Sequence, residues 1–383
     1  MRNGWPVTKL GDLTDLVTKG TTPTSLGHSF VQDGINFVKV ESITTTGQFI
    51  EEKFAHITPE CHAVLGRSQL EAGDILFSIA GALGRTAFVT DDILPANTNQ
   101  ALAIIRLKRD ARLLPKFVLK ALETGVVLEQ IEKFRGGVAQ QNLSLAQVRD
   151  FQIALPPLAE QQRIVGLLDE AFAGIATAQA NAEKNRQNAR ALFASHLQSV
   201  FTQRGKGWVE KTLGETCEMY QPKTIGTKDL VPDGAYPVFG ANGIIGRYDK
   251  FNHEEPQLLI TCRGATCGSV NISQPNSWIT GNAMVVRPLD HLLDLKFLEF
   301  VFRGGINISK AITGAAQPQI TRTNLSPLLI RFPKAVPEQK KFAEQFENLS
   351  EETQRLALHY ERKLELLAAL KKSLLNEAFT GKL

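Results

Sequence analysis

A repeating pattern of apolar and polar positions occurs twice in the chain and organises the rest of it. Between Pro156 and Thr202, steps of four and three join Ile164, Leu168, Ala171, Ile175, Ala178, Ala182, Ala189 and Leu192, with Asn185 in the one polar slot. Between Pro337 and Thr380, the same slots hold Phe342, Phe346, Leu349, Thr353, Leu356, Tyr360, Leu367 and Leu370. Steps of four and three sustained over several heptads predict a coiled-coil seam. At 1.5 Å per residue, each predicted helix is about 65 Å long.

The two stretches are copies of one another. Glu160-Gln161 near the start of the first matches Glu338-Gln339 in the second, at a spacing of 178 residues (338 − 160). Phe201 and Phe379 match at the ends with the same spacing (379 − 201 = 178). A repeat with so long a period predicts a tandem duplication of the whole chain.

A globular segment precedes each predicted helix, and its landmarks also repeat. Buried-strand patterns that run into glycine turns, and a later glycine- and glutamine-containing loop, occur in both: residues 74–82 match 258–265, 101–106 match 283–287, and 137–144 match 314–321. Short strands mixed with helical segments predict an α+β domain in each copy. We expect four segments, with the globular ones first and third: residues 1–155, 156–204, 205–336 and 337–383.

The order globular unit, helix, globular unit, helix predicts how the copies are arranged. If the first helix runs away from the first unit and the second runs back, the helices pair antiparallel with one unit at each end. The C-terminal segment then ends near Trp5. The expected fold class is α+β, with two pseudo-symmetric mixed α/β domains joined by two long antiparallel helices that form a coiled coil.

Composition narrows the class of protein without identifying a partner. The net charge is +4 over 383 residues, so a DNA-binding protein of this balance needs its charge arranged on one face, while an ordinary surface explains it equally well. We expect a cytoplasmic protein without a membrane partner, because the N-terminus has no apolar signal core and no run reaches about 20 apolar residues. The four cysteines do not suggest a disulfide framework, and Cys262 and Cys267 have no second pair for zinc.

Catalytic motifs do not stand out. An adenine methyltransferase holds its target base with a short Asn/Asp-Pro-Pro-Tyr/Phe segment, whereas the Pro-Pro pair here, Leu155–Leu158, opens a helix. The chain has no Gly-x-x-x-x-Gly-Lys-Ser/Thr phosphate loop, and the seven histidines have no metal-ligand spacing. Gly240, Gly243 and Gly246 have dinucleotide-like spacing, but no βαβ pattern surrounds them. We expect no catalytic residues, no metal and no cofactor on this chain.

These ordered motifs resemble those of a known family. The motifs are the proline–Glu-Gln helix starts, the ending Leu374–Leu383, the Gly-x-Ala-Gln loops, and Tyr236–Gly243 followed by Arg263–Gly268. Together they resemble the specificity subunit of type I restriction–modification systems, over essentially the whole chain. One departure is that residues 81–84 of the first unit lack the arginine that the second has at Arg263; another is Asn142, which stands where the second has Gln319.

The resemblance implies a function and a set of partners. Two target-recognition domains would each read half of a split site in double-stranded DNA. The helix pair would set the spacing of the halves and dock two DNA adenine methyltransferase subunits, and restriction/translocase subunits would join. S-adenosylmethionine, ATP and Mg²⁺ would then belong to the partner subunits. On the two helices, the candidate subunit-binding residues are Glu160, Gln161, Glu338, Gln339, Phe201 and Phe379.

Side chains that can form two hydrogen bonds to a base edge are the candidate DNA-binding residues, because arginine or lysine pairs with guanine and asparagine or glutamine with adenine. The main candidates lie in the repeated glycine-containing loops: Arg135, Gln140, Gln141, Asn142, Gln317, Gln319 and Arg322. Further candidates lie elsewhere in the two units: Lys39, Arg85, Asn97, Asn99, Gln100, Lys223, Asn242 and Arg263. A structural alternative is that Gln140 and Gln317 hold their loops to the following helix. The turn Gly20–Pro23 fits either phosphate contact or a plain surface turn.

Two other functions stay open at this point. One is a self-contained DNA-modifying enzyme, against which the missing motifs argue. The other is a coiled-coil scaffold that does not bind DNA, against which the two elaborated and unequal globular units argue.

Overall fold

The computed structural model describes residues 4–110, 112–135, 142–203, 205, 207–240, 242–290, 292–314 and 317–383. The chain divides into two compact units, of which the first is Met1–Asn181 with Lys363–Leu383 and the second is Ala182–Arg362. Each unit therefore combines one globular segment with parts of both long helices.

The first unit contains short strands and helices followed by the start of a long helix. Its strands are β1 (Val7–Lys9), β2 (Thr14–Lys19), β3 (Ile35–Val38), β4 (Ala55–Ile57), β5 (Ile75–Ser78), β6 (Thr86–Phe88), β7 (Ala96–Thr98), β8 (Leu102–Leu107) and β9 (Gln152–Ala154). Its helices are α1 (Pro59–Val64), α2 (Pro115–Leu122), α3 (Gly125–Arg135), α4 (Leu145–Arg149) and the beginning of α5 (Leu158–Thr202).

The second unit has the same kinds of element. Its strands are β10 (Trp208–Thr212), β11 (Cys217–Tyr220), β12 (Tyr236–Gly240), β13 (Gly243–Tyr248), β14 (Leu258–Thr261), β15 (Val270–Ile272), β16 (Trp278–Ile279), β17 (Ala283–Pro288), β18 (Ile312–Thr313), β19 (Gln319–Ile320) and β20 (Leu329–Pro333). Its helices are α6 (Leu213–Thr216), α7 (Leu295–Phe300), α8 (Arg322–Leu325) and the beginning of α9 (Val336–Thr380).

The sheets of the two units share one topology. In the first unit a four-stranded antiparallel sheet has the order β2-β8-β5-β6, and in the second the order is β11-β17-β14-β15. Each unit also has a three-stranded sheet, β4-β3-β7 or β13-β12-β16, with one antiparallel and one parallel pairing. A two-stranded antiparallel pair, β1-β9 or β10-β20, completes the match. The duplication and the α+β class expected from the sequence are confirmed.

A hydrophobic core forms where each four-stranded sheet meets the helices. All four residues of β5 and of β14 are buried, as expected for a central strand covered on both faces. The core of the first unit includes Phe77, Phe117 and Phe151, each fully buried. Burying a side chain of this size contributes about 1.5–3 kcal/mol, so these cores hold the loops at the ends of the central strands in place.

The long helices pair antiparallel within each unit. In the first unit, Arg163 on α5 donates to the Leu383 carbonyl oxygen (3.0 Å), and further along α5 the Lys371 ammonium lies 4.8 Å from the centre of the Phe172 ring. Residue numbers along α9 and its C-terminal end therefore fall as those along α5 rise, which is the antiparallel arrangement. In the second unit, the rings of His196 on α5 and Phe346 on α9 are 6.0 Å apart. Trp5 and Leu383 pack against the same core, as the pseudo-symmetry predicted.

The seam between the helices differs from the predicted one in its later heptads. Leu192 is 53% exposed and Leu356 is 42% exposed, and Leu370 is also exposed, although all three occupy predicted seam slots. The residue after each of them is more buried, and Ala357 is 7% exposed. A straight α-helix drifts by about 20° per heptad relative to a strict seven-residue repeat, so the buried slot moves on by one residue.

Among the described residues, no helix combines the length and the apolar character needed to cross a membrane.

Candidate nucleic-acid interface

The clearest candidate site of the second unit is built by two loops that meet beyond the end of β14. The first loop covers residues 262–268 and the second contains β19. Two backbone hydrogen bonds join them, from Gly264 N to Pro318 O (3.2 Å) and from Ile320 N to Cys262 O (2.9 Å). Arg263 and Gln319 therefore face each other as an antiparallel bridge. Gly264 has a φ of +85°, so a glycine is suited to the turn that directly follows Arg263.

The two loops form one side of a cleft of about 390 Å³, here named the β14–β19 cleft. Its polar lining residues come from three segments of the unit and are Tyr220, Gln221, Arg263, Gln319, Thr321 and Arg322. Three of these, Arg263, Gln319 and Arg322, come from the candidates that the sequence identified. All three are exposed, and their side chains make no hydrogen bond or ion pair with other described residues. Their donors and acceptors are free to bind a ligand.

Local hydrogen bonds hold Tyr220, one of the residues that line this cleft. The Tyr220 hydroxyl lies 2.8 Å from His253 Nε2, and His253 Nδ1 lies 2.6 Å from Asn252 Oδ1. A neutral imidazole satisfies both contacts, since Nδ1–H donates to the amide oxygen and Nε2 accepts from the hydroxyl. Burial, assisted by the charge of Arg287, lowers the pKa of His253, and burial raises the pKa of Tyr220. Gln221, which no sequence motif identified, follows Tyr220 and donates to the Gly281 carbonyl oxygen (2.9 Å).

The first unit joins the equivalent loops in the same way. Ala80, beyond the end of β5, forms an antiparallel bridge with Asn142, and Leu143 N donates to Ile79 O (2.8 Å). Asn142 is exposed. Each second loop then runs into a short helix capped by a hydroxyl side chain, Ser144 for α4 and Thr321 for α8.

Some loop candidates fall outside the described part of the chain. Gln140 and Gln141 lie outside the described residues, and so does the side chain of Arg135, whose backbone ends α3. In the second unit Gln317 is exposed, and its side chain makes no recorded hydrogen bond to described residues, so the suggestion that it holds the loop receives no support. In the second unit the described contact between the two loops is the backbone bridge.

Two candidates of the first unit are used by the fold itself. Asn97 is fully buried, and its amide nitrogen donates to Leu65 O (3.2 Å) and Ser68 Oγ (3.0 Å), so its prediction as a DNA contact is wrong. A buried amide without hydrogen-bond partners would destabilise the folded state, so these two bonds are needed to satisfy the Asn97 side chain. Arg85 is half-buried and its Nη1 donates to the carbonyl oxygens of Val40 (3.1 Å) and Ile43 (2.7 Å), which ties its guanidinium to that turn.

The other candidates of the first unit lie closer to solvent. Lys39 is half-buried, with its ammonium 4.5 Å from the centre of the Phe30 ring. Asn99 is also half-buried and accepts a hydrogen bond from Ala101 N (3.1 Å) through its side chain. Gln100 is exposed. These three residues stay candidates.

The turn at Gly20–Pro23 lies against this group. A Cβ atom at Gly20 would lie 1.9 Å from the Thr98 carbonyl oxygen, so only glycine fits there. The hydroxyl of Thr22 bonds the side chain of Gln100, and Arg67 donates to the Thr21 hydroxyl (2.9 Å). Arg67 is exposed and was not recognised in the sequence, where it stands alone between helix and strand.

In the second unit, Lys223 and Asn242 are exposed. Lys223 follows Gln221 on the segment after β11, and Asn242 is in the turn between β12 and β13. Neither lines the β14–β19 cleft, which brings together a smaller set of side chains than the sequence proposed.

Four of the candidate subunit-binding side chains are buried within the chain. Gln161 is fully buried; its Oε1 accepts from Leu114 N (2.9 Å), and its Nε2 donates to Arg112 O and Pro156 O. Gln339 is equally buried and makes the same three kinds of bond, to Asp294 N, Leu292 O and Pro333 O. Phe201 and Phe379 are packed in the two cores. Direct contact of these four with a partner is contradicted, because fold contacts already use their surfaces. Glu160, which pairs with Arg163, and the exposed Glu338 stay candidates.

Among the described residues, no group of three or more histidine, cysteine, aspartate or glutamate side chains is placed to hold a metal ion.

Comparisons with known proteins agree with this arrangement. The family described as type I restriction modification DNA specificity domain matches residues 2–185 and again residues 205–366. The chain is 25% identical over 347 residues to the type I restriction enzyme EcoprrI specificity subunit of Escherichia coli, covering 86% of this chain and 82% of that protein. It is 28% identical over 178 residues to the EcoBI specificity subunit of the same organism. That match covers 46% of this chain and only 36% of the relative.

Solved structures share the fold over the whole chain. One, from a study of complex assembly and conformational transition of the type I R-M system, has a TM-score of 0.80 at 20% identity and covers 100% of this chain and 99% of that chain. The HsdS subunit from Thermoanaerobacter tengcongensis has a TM-score of 0.64 at 20% identity, with coverage of 100% and 98%. With two matched copies of its domain, two equivalent units and one fold throughout, the chain belongs to the type I restriction modification DNA specificity family.

Proposed function

We propose that this chain is the non-catalytic DNA-recognition subunit of a type I restriction–modification complex that acts in the cytoplasm. Each unit reads one half of a split site in double-stranded DNA. The observation that carries the proposal is the pair of bridged loops, present at equivalent positions in both units and carrying exposed amide or guanidinium side chains. Such side chains can form two hydrogen bonds with base edges in the major groove.

The residues of the β14–β19 cleft fit two kinds of DNA contact, one to bases and one to phosphates. Arg263 and Gln319 have the geometry for base contacts, since they are held by a rigid backbone bridge. Arg322 opens α8, and a cation at the edge of the site suits a phosphate contact that fixes the position of the protein on the duplex. In the first unit, Arg67 beside Thr21 is suited to the same role.

The helix pair, in this proposal, sets the distance between the half-sites and docks two adenine methyltransferase subunits. Antiparallel packing within each unit and the buried glutamine contacts of Gln161 and Gln339 hold each globular segment firmly to the helices. The restriction/translocase subunits join this assembly. S-adenosylmethionine, ATP and Mg²⁺ are bound by the partner subunits.

The test uses the purified chain, duplex DNA and a labelled methyl donor. The chain alone should transfer no methyl groups, and the chain with its methyltransferase subunit should methylate adenines in a two-part motif. Robust methylation or cleavage by the chain alone, persisting through further purification, would identify a self-contained enzyme instead. Failure to bind DNA with or without the methyltransferase subunit would favour a scaffold.

A second experiment tests whether each unit recognises its own half-site independently of the other. Residues 1–155 are replaced by the corresponding unit of a relative that recognises a different site. One half of the methylated motif should change and the other should stay, because each unit carries its own pair of loops. A change in both halves would contradict independent reading.

A further inference from the structure

Arg263 and Gln319 are held in a specific pairing geometry. The two backbone hydrogen bonds between their loops flank this pair rather than joining the two residues directly. They are therefore partners at a non-hydrogen-bonded position of an antiparallel ladder, where Cα atoms are about 4.5 Å apart and side chains approach most closely. Side chains directly opposite each other leave the same face of a sheet. Both are exposed on the β14–β19 cleft.

The separation of the two side chains matches the stacking of DNA. Successive base pairs are about 3.4 Å apart along the helix axis. Two side chains that start about 4.5 Å apart on one face are therefore placed to reach adjacent base pairs. Arginine forms its best base contact with guanine O6 and N7, and glutamine with adenine N6 and N7.

We propose that Arg263 and Gln319 read two neighbouring base pairs in the half-site of the second unit, a G·C pair through Arg263 and an A·T pair through Gln319. This inference rests on the proposed DNA-recognition function and adds the identity of two bases and their adjacency.

The first unit provides a natural comparison, because its pairing has the same geometry with different side chains. Leu143 N donates to Ile79 O on one side of the Ala80–Asn142 bridge, which is the bond expected beside a non-hydrogen-bonded pair. Asn142 occupies the position of Gln319 and reads adenine in the same way. Ala80 occupies the position of Arg263 and has no hydrogen-bonding side chain. The first half-site therefore has an A·T pair at the corresponding position and no hydrogen-bonded guanine beside it.

The experiment expresses each variant with its methyltransferase partner and maps the methylated adenines across a genome. Arg263→Ala should reduce the preference for one G·C pair by roughly tenfold to a hundredfold, the size of a two-bond base contact. Gln319→Ala should relax the neighbouring A·T pair. Arg263→Gln should convert the G·C preference to A·T, and this gain of a new preference requires a folded protein. Lys334→Ala, which removes a charge outside both loops of the same unit, should leave the motif unchanged.

The converse substitution is made in the first unit. Ala80→Arg should add a G·C preference next to the A·T pair that Asn142 reads, in the first half-site only. A gain at that place cannot arise from unfolding or from a general loss of affinity.

The outcomes separate the inference from the proposed function. If wild-type complexes methylate a two-part motif but the positions relaxed by Arg263→Ala and Gln319→Ala are not adjacent, or lie in different halves, the inference is wrong. A uniform loss over all sequences would assign Arg263 to a phosphate and also overturn it. If wild-type complexes show no sequence-specific methylation, the proposed function itself fails.

Discussion

Gln161 and Gln339 show how single side chains connect a globular segment to a long helix. Each lies in the first turns of α5 or α9, is fully buried and makes three hydrogen bonds to backbone groups of its own unit. The two amides make equivalent hydrogen bonds at equivalent positions. Their repetition in the sequence therefore reflects a contact that stabilises the fold of each unit. Their burial removes them from any surface that a partner could bind.

Gln161→Ala should destabilise the protein by about 2–3 kcal/mol, because it removes a fully buried side chain and leaves one backbone N–H and two carbonyl groups without this partner. The free energy of unfolding, measured by chemical denaturation, is the readout. Gln162→Ala, at the next residue and exposed, is the control and should change stability by less than about 0.5 kcal/mol. Equal effects of the two substitutions would contradict the role assigned to Gln161.

His253 gives the second unit a specific dependence on pH. Its pKa lies below the ordinary value of 6.5 because of burial, so the folded state favours the neutral ring. The stability it contributes is present above pH 6.5 and declines as the pH falls from 6.5 through the lowered folded pKa, since the unfolded state binds the proton more readily. Protonation also removes the acceptor that Nε2 offers to Tyr220.

His253→Gln should therefore be less stable than wild type at pH 8 but should lose less stability between pH 7 and pH 5. The measurement is the free energy of unfolding of both proteins across this range, and the difference between them cancels the other titrating groups. Parallel curves would show that His253 does not titrate in this way.

Among the secondary-structure elements, α5 and α9 form a seam whose composition depends on which residues of each helix are buried. Phe346 is fully buried and packs against rings from several elements, including Phe201 and Phe300. Leu356, ten residues further along α9, is exposed, because the buried position of the seam has moved to Ala357. A hydrophobic residue on the predicted stripe is thus not necessarily a core residue.

Phe346→Ala should cost about 3–5 kcal/mol, as expected for removal of a large side chain from a packed core. Leu356→Ala should cost less than about 1 kcal/mol, since alanine suits an exposed helix position. Thermal unfolding of both variants tests the pair. If Leu356→Ala were as destabilising as Phe346→Ala, the strict seven-residue repeat would describe the seam better than the structure does.

At the scale of the whole molecule, the proposed role of the helices as a spacer leads to a measurable change in the DNA site. Deleting one heptad from each helix, Ala176–Ala182 with Gln354–Tyr360, preserves the spacing of seam residues on either side and shortens each helix by about 10 Å. At about 3.4 Å per base pair, a rigid aligned arrangement would shorten the spacer by about three pairs. Tilt of the helices and twist of the duplex should reduce this to about one or two.

Mapping of methylated adenines with the methyltransferase partner measures the new spacing. The half-sites should be unchanged, because the reading loops are untouched. A deletion in one helix only is the control; it disrupts the matched pairing and should impair folding. Full activity of the double deletion with an unchanged spacer would contradict the spacer role and favour flexible hinges.

The duplication, the two long helices and the α+β class of each unit can all be predicted from the sequence. These features depend on local rules: apolar periodicity reports helices, and glycine turns after apolar runs report strand ends. The repeat also placed Arg263, Gln319 and Asn142 in equivalent loops before the structure showed that those loops are bridged.

Which polar residues are available to a ligand, by contrast, depends on the folded structure. Asn97 and Gln161 look like surface amides in the sequence, yet both are fully buried and bond groups that are distant in the chain. Gln221 is a candidate because folding brings it into the β14–β19 cleft, and Arg67 because folding brings it to Thr21. Burial and pairing depend on long-range packing, and a linear pattern does not contain that information. The bridge between residues 263 and 319, which are 56 positions apart (319 − 263), is set by the same long-range contacts.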